Sequence, residues 1–132
     1  WTLTEPTYTR EETETWEGEQ LRAFKQYGFQ CGENRFSLPR GASREMNHSC
    51  DPNTCWADSD NLIARRDILP DEEITYDYSS CDITLEFEMK CHCGSPACRK
   101  RISHRDYLDP DWQKQYGENL PPHVLAAIEK SR

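Results

Sequence analysis

The sequence predicts an α+β fold built mainly from short β-strands, with helices at its periphery. Segments of strand character between residues 29 and 90 are short and are separated by turn residues. Helical periodicity is confined to Thr9–Tyr27 and to two stretches that open at Asp109 and Pro121. Strands and helices do not alternate as they would around a parallel sheet.

The elements follow in order. Trp1–Pro6 reads as a strand. Thr9-Arg10-Glu11-Glu12 fits a capping box that opens a helix, with Leu21 and Phe24 at helical spacing, Gly18 as a break and Gly28 as a stop. Residues 29–39 read as short extended pieces closed by Pro39-Arg40-Gly41. Asn61–Asp67 and Glu73–Tyr78 are predicted strands joined by a turn at Pro70-Asp71. Ile83, Leu85, Phe87 and Met89 alternate, which predicts a further strand. Asp109-Pro110 starts a helix that ends at Gly117, and Pro121-Pro122 opens a last one with Val124, Leu125 and Ile128 on one stripe.

At 132 residues the chain fits one domain with a modest core. Only 35% of residues are hydrophobic and 30% are charged, so a bound metal would add usefully to stability. The net charge of −8 speaks against a nucleic-acid backbone as direct partner and suits a basic one, such as a lysine-rich peptide. Seven cysteines, an odd number, fit a disulfide framework poorly and predict a reducing, intracellular compartment. No apolar run approaches membrane-spanning length, so no membrane partner is expected.

Two segments carry the chemistry. Cys91-His92-Cys93-Gly94-Ser95-Pro96-Ala97-Cys98 brings three thiols into one turn-rich loop, one short of a closed zinc shell. Cys50, within Asn47-His48-Ser49-Cys50-Asp51-Pro52-Asn53, offers a fourth ligand, with His92 and His104 as spare candidates. Lys90, Arg99, Lys100 and Arg101 flank the cluster with charge suited to a four-thiolate site. Between the two segments, Thr75-Tyr76-Asp77-Tyr78 would set two phenols on one face of a strand and a carboxylate on the other. Paired phenols can hydrogen-bond an amine and line an aromatic channel.

The order Asn-His-Ser-Cys, Glu-Glu-Ile-Thr-Tyr-Asp-Tyr, Cys-x-Cys-x4-Cys resembles the C-terminal half of a SET domain followed by its post-SET segment, over roughly residues 44–98. Two positions depart from the family pattern: Glu45, where an aromatic residue is common, and Asp71, where a glycine usually precedes the Glu-Glu pair. The resemblance implies a SET-type β-fold in which the Asn47 segment threads a neighbouring loop as a pseudoknot. It implies an N-terminally incomplete SET domain at 1–90 with residues 7–30 as a variable insert, since no Gly-x-Gly loop precedes Asn47. A post-SET zinc loop at 91–101 and a C-terminal helical extension at 102–132 complete that division.

SET domains are protein lysine methyltransferases that use S-adenosylmethionine. By resemblance, Tyr78 is the catalytic tyrosine and Tyr76 governs how many methyl groups are added, favouring one or two. Asn47, His48 and Tyr78 lie against the cofactor, and Cys50 joins Cys91, Cys93 and Cys98 on a structural zinc. The expected substrate is a lysine in a basic protein or peptide. The competing expectation is a catalytically inactive, zinc-stabilised SET-like interaction module. A zinc-finger nucleic-acid binder is disfavoured by the acidity and by the lack of a basic helix after the cysteines.

Overall fold

The computed structural model describes residues 1–132. Nine short strands and four helices make up the chain, with two helices after the first strand and two after the last. Strand β1 (Thr7–Tyr8) precedes helices α1 (Arg10–Thr13) and α2 (Gly18–Tyr27), so the predicted helical stretch is divided at Gly18 as its sequence suggests. The Thr9–Glu12 capping box is fully formed. Gly28 ends α2 because a Cβ there would lie 2.3 Å from the Phe24 ring. Phe24 stands in a run of edge-to-face rings, Tyr8–Trp16–Phe24–Phe36, with centroids 4.8, 5.2 and 6.3 Å apart.

Strands β2 (Phe29–Gly32) and β3 (Arg35–Ser37) form a hairpin, and β1 adds to the other edge of β3 to give an antiparallel three-stranded sheet. Strand β4 (Asn47–His48) then pairs in parallel with β7 (Thr75–Tyr76), Asn47 opposite Thr75 and His48 opposite Tyr76. This pairing, and not a hairpin, brings the two motif segments together. It is reinforced by Asn53, whose side chain donates to the Glu73 carbonyl at 2.8 Å and accepts from the Thr75 N–H at 2.9 Å. Strands β5 (Thr54–Trp56) and β6 (Leu62–Ala64) form a second hairpin, bridged to the first residues through Thr2 and Asn61.

The strand predicted over Asn61–Asp67 is therefore shorter than expected, and that over Glu73–Tyr78 is reduced to β7. The second stops because the Asp77 carboxylate caps a 3-10 turn at Tyr78–Ser80 by accepting the Ser79 N–H. The strand predicted over Ile83–Met89 does not form. The Ile83 and Thr84 N–H groups both donate to the side-chain oxygen of buried Gln30, at 3.0 and 2.9 Å, in place of a strand neighbour. Ile83, Leu85 and Phe87 then enter three different apolar clusters and Met89 faces solvent. Only β8 (Glu88–Lys90) is extended, paired with β9 (Arg101–Ser103) on either side of the cysteine loop.

Asp109 caps helix α3 (Pro110–Tyr116), and Gly117 ends it with φ +57°, a conformation that favours glycine. Helix α4 (Pro122–Ser131) buries Val124 and Ile128 with Trp112, Tyr116 and Leu120 against Cys55 of β5. Asp71 has φ +65°, so an Asp does hold the left-handed turn where the family pattern has glycine. No helix is long and apolar enough to cross a membrane.

Candidate functional site

The sulfurs of Cys50, Cys91, Cys93 and Cys98 lie within 4.8 Å of one another. A tetrahedral zinc site with arms of about 2.3 Å places ligand sulfurs about 3.8 Å apart. The Cys50–Cys91 separation of 3.7 Å matches that edge. Position comes from the frame: β8 and β9 clamp the loop, the Cys91 N–H donates to the Lys100 carbonyl at 2.8 Å, and the Cys98 N–H donates to the Ser95 carbonyl at 3.0 Å. Burial raises the Cys50 and Cys91 thiols. At Cys93 burial is outweighed by the N–H groups of Cys50 and Ser95 aimed at the sulfur, and its thiol falls to about 6. The four-thiol donor set therefore fits zinc, whose charge would hold all four as thiolates.

The two spare histidines are elsewhere. His104 is held by the backbone of Phe87, and His92 is outside the four-sulfur group. Cys31, Cys55 and Cys81 are buried free thiols.

His48 connects this cluster to β7. Its Nδ1 accepts the Tyr78 N–H at 3.1 Å, and burial lowers its pKa, which favours the neutral ring. The remaining proton is then on Nε2, 3.3 Å from the Cys50 sulfur, to which it can donate. The imidazole faces the thiol, the Tyr78 backbone and, 3.5 Å from Nδ1, the Asp77 carboxylate, while Asn47 beside it lines a cavity and donates to Glu73 at 2.6 Å.

That cavity, about 760 Å³, is also lined by Tyr76, Tyr78, Trp1, Phe29 and Trp56. It is within the usual size range of ligand sites, roughly 300–1,000 Å³. The Tyr76 and Tyr78 rings stand 4.9 Å apart, on the side of the chain opposite the Asp77 carboxylate. Tyr78 is fixed by donating its hydroxyl to the Met46 carbonyl at 2.8 Å. The Tyr76 phenol rests on no protein hydrogen bond, and burial pushes it well above the ordinary tyrosine range, so it is a neutral donor available to a ligand. Aromatic faces of this kind attract sulfonium and ammonium groups.

Asp82 also lines the cavity. Burial raises its carboxyl to about 7, although the Gln30 N–H donates to it at 2.7 Å.

Sequence reasoning missed the partners of Asp77. Its carboxylate accepts from both guanidinium nitrogens of Arg99 at 2.9 and 3.0 Å, from Trp112 Nε1 at 3.0 Å and from Tyr116 Oη at 2.7 Å. Burial works against its ionisation, but the Arg99 hydrogen bonds and charge prevail and hold the carboxyl below the usual range. The available signal was an acid flanked by two tyrosines, with an arginine directly after the last cysteine.

The family model of the SET domain matches residues 3–79, more than half of the chain. The chain belongs to the SET domain family. It is 35% identical over 91 residues to the histone-lysine N-methyltransferase ASHH3 of Arabidopsis thaliana, covering 64% of this chain and 24% of that protein. It is 37% identical over 84 residues to the histone-lysine N-methyltransferase trr of Drosophila melanogaster, covering 56% of this chain and 4% of that protein. A third relative, human histone-lysine N-methyltransferase 2D, is 39% identical over 72 residues, covering 48% of this chain and 1% of that protein. The match thus spans a quarter or less of the length of these curated relatives.

The raised Asp82 carboxyl sets a pH dependence. Between the unfolded value of about 3.9 and the folded value of about 7, the folded state binds more protons than the unfolded one. Stability contributed by this group is therefore fully present below about 4 and is lost as pH rises towards 7. Asp82→Asn keeps the acceptor for Gln30 and flattens the slope of urea-unfolding stability across pH 4–7. An unchanged slope would exclude Asp82 as its source.

Proposed function

We propose that the chain carries the transfer centre of an S-adenosylmethionine-dependent protein lysine N-methyltransferase that adds one or two methyl groups. The observation that supports it most directly is the tyrosine pair, 4.9 Å apart on a cavity wall, tied through His48 to a four-cysteine cluster. The acidic charge of −8 favours a basic substrate, and a lysine-bearing histone segment is the first to test, given what the relatives are named for. Residues 1–90 form the SET part in this reading, 91–101 its post-SET metal loop and 102–132 a helical extension. Reduced thiols suit an intracellular setting.

Asn47, the backbone around His48, and Tyr78 would hold the cofactor, which supplies a methyl group on a sulfonium. The chain's own residues do the rest. A lysine amine has a reference pKa of about 10.4 and must lose a proton to act as nucleophile. An aromatic, poorly hydrated channel favours its neutral form. The Tyr76 hydroxyl, unpaired within the protein, is placed to accept from or donate to that amine and to orient its lone pair. Tyr78, held by Met46 and by the His48 contact to its N–H, fixes the adjoining part of the same wall. Alignment and exclusion of water are then the main sources of rate.

Tyr78→Phe in the full-length protein abolishes methyl transfer to a histone peptide. It removes the hydroxyl donated to Met46 and costs about 0.5–1.5 kcal/mol, so the fold is retained. Turnover at the unmutated rate would remove Tyr78 from the mechanism.

Tyr76→Phe shifts the products towards the trimethyl state, because the lost hydroxyl frees space for a bulkier amine. Mass spectrometry of the peptide reads the distribution, and dominant trimethylation by the unmutated protein would contradict the role given to Tyr76.

The protein carries one zinc per chain, held by Cys50, Cys91, Cys93 and Cys98, and chelation disorders residues 91–101. Elemental analysis measures the metal, and Cys98→Ser reduces it. Metal-free protein with an ordered loop would be incompatible with this site.

A further inference from the structure

The carboxylate between the two tyrosines accepts hydrogen bonds from four other residues, and the function proposed above gives it no part. Asp77 directly joins Tyr76, the last residue of β7, to Tyr78, the first of the 3-10 turn, and its side chain goes to Trp112 and Tyr116 while the two tyrosines line the cavity. Its side chain has no solvent exposure. Besides Arg99, Trp112 and Tyr116, the Ser79 N–H donates to it at 3.0 Å. Two oxygens offer about four acceptor sites, so this carboxylate is saturated.

Its partners come from separate regions. Arg99 follows the last cysteine of the metal loop. Its backbone N–H donates to the Cys50 sulfur at 3.4 Å, while its guanidinium spans both Asp77 oxygens and also reaches Asp106 and Ser79 Oγ. Trp112 and Tyr116 lie on α3, whose Gln115 donates to the Cys50 carbonyl at 2.8 Å. Helix α3 and the metal loop thus grip the same two points, Asp77 and Cys50. Between them His48 links the Cys50 sulfur to the Tyr78 N–H. With the residue before Tyr78 pinned by its side chain and Tyr78 itself pinned by its N–H, the backbone that aims the phenol has little freedom.

We propose that Arg99 and Tyr116 are positioning residues that act through the Asp77 carboxylate to hold Tyr78 in place, which makes helix α3 a working part of the transfer site. This rests on the reading of Tyr76 and Tyr78 as the catalytic pair. The arrangement implies a division of labour. The phenols face the cavity and the reacting groups, whereas Asp77 faces inward and never meets substrate. Arg99 is specific in this place because its planar fork covers both oxygens, which a lysine cannot do.

The test uses amide hydrogen exchange read residue by residue, together with steady-state methyl transfer, on the full-length protein with its metal retained. Tyr116→Phe removes one hydroxyl and leaves the ring packed. Arg99→Lys keeps the charge and loses the fork. Leu125→Ala loosens the same helical cluster without touching Asp77. The expected result is Tyr78 amide exchange at least tenfold faster in Tyr116→Phe and in Arg99→Lys, with the Ile128 amide within twofold and zinc content unchanged. Leu125→Ala accelerates Ile128 and leaves Tyr78 within twofold. In both positioning variants kcat falls about tenfold while KM for the peptide stays within twofold.

Tyr78 exchange unchanged in both variants, or raised only in step with Ile128 as general loosening would give, overturns the proposal. Local acceleration at Tyr78 in a protein whose unmutated form transfers no methyl group supports the positioning role and refutes the methyltransferase reading. Transfer with no local acceleration does the reverse.

Discussion

An ionised carboxylate without contact to solvent is the constraint around which this chain is organised. Placing such a charge in a protein interior costs several kcal/mol, and breaking a buried pair by removing one partner costs about 3–5 kcal/mol. Asp77 is stabilised only when the 3-10 turn after β7, the residue following the cysteine loop, and helix α3 all present donors at once. No single one of these elements could satisfy it. The fold is therefore specified at this point by a polar requirement, while the apolar contacts around it are permissive.

That matters because the apolar interior is divided. Four small clusters take the place of one core: around Trp56 and Phe29, around Trp112 and Val124, around Phe24 and Phe36, and around Cys50 and Ile102. A chain of this size and polarity has little surplus burial to draw on. The four-cysteine cluster brings the end of β4 against the β8–β9 pair across 41 residues of sequence, and a metal held there would supply what burial lacks. Arg99 carries that link on to Asp77, its backbone N–H on the Cys50 sulfur and its guanidinium on the carboxylate, so the polar centre and the four-cysteine cluster share one residue.

Features with a local cause could be read from the sequence. The Thr9–Glu12 capping box, the break at Gly18, the stop at Gly117 and the turn at Asp71 each depend on one or two residues and appear where their chemistry puts them. The convergence of Cys50 on Cys91, Cys93 and Cys98 was legible from thiol count and spacing, completed by resemblance. Elements whose cause lies far along the chain were hidden. Alternation over Ile83–Met89 mimicked a strand because its apolar residues serve three clusters, and the acceptor for its N–H groups is Gln30. Strand β5 is only Thr-Cys-Trp and is defined by its partner β6. Arg99 reads in sequence as charge beside thiols, yet its guanidinium is spent on Asp77 and only its backbone N–H reaches a sulfur.

The parallel pairing of β4 with β7 has a kinetic consequence. Parallel strands require a long connection, and here 26 residues or more separate the groups that meet, as in the Asn47–Glu73 contact. The contacts that finish the centre span further still, 35 residues for Asp77–Trp112 and 39 for Asp77–Tyr116. Loop-closure entropy must be met before such contacts return any enthalpy, and topologies rich in them fold slowly. Helices α2 and α4 can form early from local interactions, whereas the tyrosine pair acquires its geometry only when the final helix of the polar centre docks. A nascent chain emerging in order thus remains without a formed centre until residues beyond Tyr116 have been synthesised.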